Sequence, residues 1–165
     1  MGVPDWLLPD WLPIGFDNNA ADYVQQSPLS ALCLQNAYWG KFNSGGTDVA
    51  GGALLRPLDM MKLGQLMLND GKWKGKQLIN RQWILDSMNK YKNPNNELYG
   101  LYWWHADYYV NGKTYQAVLA RGDGGQNIVI IKELALVVVK TASNYDMSFK
   151  IDEMMPRYII PAFVE

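Results

Sequence analysis

The stretch that decides the fold is residues 114–140, TYQAVLARGDGGQNIVIIKELALVVVK. TYQAVLA (114–120) has the aromatic and β-branched content of a strand. The glycine-rich ARGDGGQ follows, then the apolar NIVII (127–131), a tight turn at Lys132-Glu133, and the buried run LALVVVK (134–140). Just upstream stands Asn111-Gly112, the strongest two-residue hairpin signal. Before it, LYGLYWWHADYYV (98–110) is aromatic enough to form a pleated strand. The pattern predicts three or four consecutive antiparallel strands.

Working outward, the residues before the strands carry a period of 3.6. Pro57 suits the first turn of a helix, Asp59 sits where the helix dipole favours negative charge, and Gly71 can end it. Met60, Leu63 and Met67 recur at i, i+3 and i+7, with Gly64 on the same face, where a missing side chain permits close approach of a neighbour. DGKWKGKQ (70–77) reads as a turn. A second helix is expected from Asn80, a good N-cap, to about Lys90, with Trp83, Ile84 and Met88 as its apolar side. The tail has Ile151, Met154, Met155, Tyr158 and Ile159 at helical spacing, and Pro156 should kink or split that helix. The expected architecture is α+β, an antiparallel sheet flanked by helices.

Residues 1–46 read as an irregular lead-in, and residues 47–165 as the α+β part. Pro4, Pro9, Pro13 and Pro28 interrupt any helix. PDWLLPDWLP (4–13) repeats a Pro-Asp-Trp-Leu pattern but is too short for a repeat fold, and FNSGGTDVAGG (42–52) should be loop. So long a structureless lead-in suggests a segment that lies over another part of a larger protein.

Composition excludes several classes. The 165 residues fit one ordinary domain able to bury about 70% of its unfolded surface without a disulfide or metal. A net charge of −1 is too low for a phosphate-binding surface, which argues against nucleic acid as a partner. No run of ~20 apolar residues could span a membrane, and no charged-then-apolar leader pattern is visible. The single cysteine, Cys33, cannot form an internal disulfide and should be a small buried apolar residue. The single histidine, His105, excludes a multi-histidine metal site. No metal or cofactor is implied. The seven Trp and ten Tyr could line a recognition groove, but filling the core or a domain contact is the simpler role.

Two stretches, residues 47–79 and 99–145, resemble in order the C-terminal half of class C β-lactamase-like serine hydrolases, a superfamily of β-lactamases, D-alanyl-D-alanine carboxypeptidases (penicillin-binding proteins), esterases and amide hydrolases. The resemblance implies a partial β-lactamase/transpeptidase-like fold. Family chemistry uses a nucleophilic serine in S-x-x-K at a helix start, a Tyr-x-Asn box, and a third box, Lys/His-x-Gly, on a strand edge. Only the third has a counterpart, in Arg121, Gly122, Asp123, Gly124 and Gly125, the expected oxyanion and substrate-binding residues. The glycines would let a substrate approach the backbone, and Arg121 could supply positive charge. The family's Lys or His is absent, which shifts the implied parent from β-lactamase towards esterase or amidase. The same residues could also be no more than a tight connection between strands.

Literal matches elsewhere fail on context. Ser87-Met88-Asn89-Lys90 is an S-x-x-K and Tyr91-Lys92-Asn93 a Tyr-x-Asn, but Ser87 falls at the end of its helix rather than the start, where the dipole and free N–H groups would favour developing negative charge. Tyr109-Val110-Asn111 is a second Tyr-x-Asn, and Lys140-Thr141 begins a Lys-Thr-Gly that continues with Ala142. His105 is expected on a strand, facing solvent or packing, with no G-x-S-x-G elbow to serve.

The resemblance therefore implies the C-terminal part of a serine hydrolase acting on a small-molecule or peptide substrate, inactive alone because the nucleophile lies outside the chain, from a periplasmic or extracellular parent. The alternative is a non-catalytic binding module using the same fold. A face left uncovered by missing partner residues would favour a homodimer.

Overall fold

A computed structural model of the protein describes residues 20–43, 46–48, 51–92, 98–145 and 150–164. The repeat PDWLLPDWLP lies outside the described residues. The chain divides into two compact units, Met1–Arg56 and Pro57–Glu165.

Among the described residues the first unit contains short pieces only. Helix α1 (Ala20–Gln26) is followed by a 3-10 turn (Pro28–Leu32) that Ser27 caps by accepting from the Leu29 N–H. Strands β1 (Tyr38–Trp39) and β2 (Ala53–Leu54) pair antiparallel. Pro28 sits in the first turn of the 3-10 piece, where its missing N–H leaves no donor unpaired, while Pro4, Pro9 and Pro13 lie outside the described residues. Cys33 corrects the sequence expectation. It is exposed, not buried, because it forms the left-handed cap (φ 47°) of that turn.

In the second unit, helix α2 (Pro57–Leu68) begins at the expected proline. Gly71, at φ +83°, closes it by donating to the Leu66 carbonyl at 2.8 Å. Asp59 is fully buried and accepts from Lys62 at 2.7 Å, so burial of the carboxylate is compensated by a pair as well as by the helix N-terminus. The predicted turn at 70–77 is a small hairpin, β3 (Lys72–Trp73) with β4 (Lys76–Gln77). Helix α3 (Arg81–Ser87) is capped by Asn80, which accepts from the Gln82 N–H at 2.7 Å. It ends short of Lys90. Ile84 and Met88 are buried as expected, but Trp83 is 39% exposed.

The sheet exceeds expectation. Strands β5 (Tyr91–Lys92), β6 (Leu98–Tyr99), β7 (Trp104–Val110), β8 (Lys113–Gly122), β9 (Gln126–Ile131) and β10 (Leu136–Lys140) form one six-stranded antiparallel meander in sequence order. Residues 98–110, read as one strand, are two: the chain reverses at residues 100–103, with Tyr102 at φ +66° and Tyr99 opposite Trp104. Gly100 permits the reversal, since a Cβ there would lie 2.5 Å from the Ser87 carbonyl oxygen. Asn111 and Gly112, at φ +50° and +80°, make the β7–β8 turn as predicted.

Alternation along the strands splits the core across the sheet. Leu119, Val129, Ile131 and Leu136 face one way and pack against Ile151, Met155 and Ile160 of the C-terminal helix. Ile128, Ile130, Val137 and Val139 face the other way, against Met67 of α2 and Ile84 of α3. That helix starts as α4 (Ile151–Met154) and continues as a π-helical turn (Met155–Ile159) containing Pro156, which lacks the donor an α-helix would use there. The unit is thus α+β, an antiparallel sheet with helices on both faces.

Candidate site at the glycine bend

The bend between β8 and β9 gathers the five sequence-predicted residues in one place. Arg121 and Gly122 end β8, Asp123 is exposed, and Gly124 and Gly125 adopt φ +77° and +92°, a left-handed region that glycine enters without strain. The Asp123 carboxylate turns back on the bend and accepts from the Gly124 N–H at 2.8 Å. The Arg121 side chain, 17% exposed, leaves the bend on the C-terminal-helix face and donates to Asp152 at 2.7 Å. Asp152 also accepts from the Tyr108 hydroxyl at 2.9 Å. Burial, then the charge of Asp152, push the Tyr108 hydroxyl well above the ordinary phenol range.

Sequence reasoning missed the residues that hold the bend. Lys140 and Asn127 stand opposite each other on β10 and β9, and Asn127 stands opposite Arg121 on β8. The three form a polar row across β8, β9 and β10. Lys140 Nζ and Asn127 Nδ2 both donate to the Gly125 carbonyl at 3.0 Å. Asn127 is fully buried, and its Oδ1 has no hydrogen-bond partner, a cost of about 1–3 kcal/mol for a group whose other end serves Gly125. Beyond β10, Ala142 donates its N–H to Gln126 Oε1 at 2.8 Å, and Asn144 donates to the Gly124 carbonyl at 2.9 Å. The Tyr145 ring lies against Gly124, 3.1 Å from where a Cβ would sit. The one signal available in the sequence was Lys140-Thr141, set aside as an incomplete motif.

The literal S-x-x-K is not a site. Ser87 is 5% exposed, its hydroxyl donates back to the Ile84 carbonyl at 2.9 Å, and its own carbonyl accepts from Leu101. Asn93 of the adjoining Tyr-x-Asn lies outside the described residues. His105 does not face solvent: it is half-buried on the α3 side of the sheet, with Nε2 sealed from water and without a partner. Desolvation lowers its pKa, against a backbone hydrogen bond at Asn89 that raises it. Among the described residues no cluster of His, Cys, Asp or Glu could hold a metal, and no helix is long and apolar enough to cross a membrane.

No family model and no curated protein matches the chain. Among solved structures it is similar to one described as "Putative 6-aminohexanoate-dimer hydrolase from Bacillus anthracis", with a TM-score of 0.61 and 24% identity over 76% of this chain. The chain spans 33% of that protein's length. The neighbour has the β-lactamase-like fold, and the second unit's sheet and flanking helices belong to that fold in part.

Proposed function

We propose that the chain is the C-terminal part of a β-lactamase-related serine hydrolase acting on a β-lactam, D-alanyl peptide, ester or amide. The bend at residues 122–125 forms the wall of its cleft. Fold alone does not fix an activity. What carries the reading is the bend itself: glycines at the end of a central strand, with Gly122, Gly125 and Gln126 half-buried around the buried Gly124. In this reading the backbone of residues 122–125 contacts the substrate acyl group. Arg121, already engaged by Asp152, contributes to the local field through a partly neutralised charge.

The attacking serine comes from outside these residues. Without it the chain offers donors to an oxyanion but nothing to create one, so no acyl-enzyme forms. The test is intact mass after incubation with a β-lactam and with a phosphonate probe. The unmodified mass is expected with both, and a stoichiometric adduct on Ser87 or any other serine refutes the proposal.

A further inference from the structure

The end of β10 and the segment after it touch the bend at alternate residues. Lys140 reaches the Gly125 carbonyl, Ala142 N–H the Gln126 side chain, and Asn144 N–H the Gly124 carbonyl, at 3.0, 2.8 and 2.9 Å. This is the period of an extended strand laid along the bend. Eight residues further on, Asp152 takes the Arg121 guanidinium at the start of the same bend.

We propose that Lys140 is a positioning residue, the first contact of a clamp in which residues 140–144 and Asp152 fix the backbone orientation of the cleft wall. The proposal rests on the hydrolase reading for its functional meaning, though not for its test. A trans peptide is planar, so its C=O and the following N–H point in opposite directions. Two donors drawing the Gly125 carbonyl inward therefore set the direction of the Gln126 N–H as well. One of those donors is an ammonium, and hydrogen bonds from charged donors are stronger than those between neutral groups. Among the described residues no carboxylate lies within ion-pair distance of Lys140, and its ammonium donates to the Gly125 carbonyl. Asn127 repeats the contact from full burial, where a second polar group would otherwise be disfavoured. The incomplete Lys-Thr-Gly at 140–142 thus serves as the support behind the glycine bend.

The test is NMR on the whole chain, reading the Gly125 carbonyl-carbon shift and the exchange of the Ala142 and Asn144 amides. K140M keeps the apolar stem and removes the ammonium. It should move the Gly125 carbonyl resonance and speed exchange of both amides about tenfold, while Leu119 and Val129 keep their protection. K140R should restore both within about twofold, the scale of one retained charged donor. Q126A, which removes the Ala142 tie alone, should release the Ala142 amide by a similar factor and leaves the core intact if K140M does not fold. An unchanged Gly125 shift in K140M, a uniform rise in exchange through the sheet, failure of K140R to restore, or an unchanged Ala142 amide in Q126A each overturns the clamp. The readout involves no nucleophile, so its failure leaves the hydrolase reading standing, and a serine adduct would remove that reading without touching the clamp.

Discussion

The Tyr108 hydroxyl donates to Asp152 at 2.9 Å across 44 residues of sequence, joining the centre of β7 to the C-terminal helix. Arg121 uses the same carboxylate oxygen. Y108F should cost about 1 kcal/mol, and D152A, which removes the acceptor shared by two donors, about 1–3 kcal/mol. Tyr108 has its pKa raised in the folded state, so its contribution is complete below the unfolded value of 10.0 and is lost as pH rises beyond it. Urea unfolding between pH 8 and pH 12, at values chosen about two units either side of the free phenol, should show a decline that Y108F reduces.

Gly64 brings α2 close to the sheet. A Cβ there would lie 2.5 Å from Val137 Cγ1 and 2.8 Å from Ile128 Cγ2. In an exposed helix, alanine for glycine would add about 1 kcal/mol. Here overpacking of about 1–3 kcal/mol should prevail, and G64A should lower the unfolding midpoint. Trimming the neighbour should relieve it: G64A and V137A together should be less damaging than the sum of the two alone, by at least about 0.5 kcal/mol in a double-mutant cycle. Simple additivity would show that the contact is not what Gly64 serves.

Asp70 gathers Lys132 at 2.6 Å and Arg81 at 3.3 Å, tying the turn after α2 to α3 and to the β9–β10 connection. The Lys132 hydrogen bond is the main reason its carboxyl titrates below the usual 3.8, opposed by desolvation. A lowered folded value means stability that is present above pH 3.8 and is lost as pH falls through the lower, folded value. The pairs are partly exposed, so the effect should stay under about 1 kcal/mol. D70N should flatten the acid limb of the stability profile by that amount and leave neutral pH nearly unchanged at high salt.

The glycine-bearing face of α2, its proline start, the Asn80 cap and the Asn111-Gly112 hairpin were legible because each depends on neighbours close in sequence. Where the meaning came from residues far apart, the sequence was silent. The reversal at residues 100–103 depends on Gly100 meeting the Ser87 carbonyl, a tertiary contact inside a stretch with uniform strand propensity. Cys33 looked like a core residue by type, yet its left-handed cap places it at the surface. At the candidate site the glycines stood out, since three fall within four residues. Asn127 and Asp152 could not, and Lys140 showed only as an incomplete motif, because strand register and the C-terminal helix bring them to the bend.

If, as proposed, residues 122–125 are the wall of a hydrolase cleft, the serine that works with them is supplied by residues outside this chain. The most direct measurement is the sequence of the transcript upstream of codon 1. An uninterrupted reading frame encoding a helix that opens with S-x-x-K is expected. An in-frame stop codon shortly upstream, with no S-x-x-K segment between it and residue 1, would contradict the proposal.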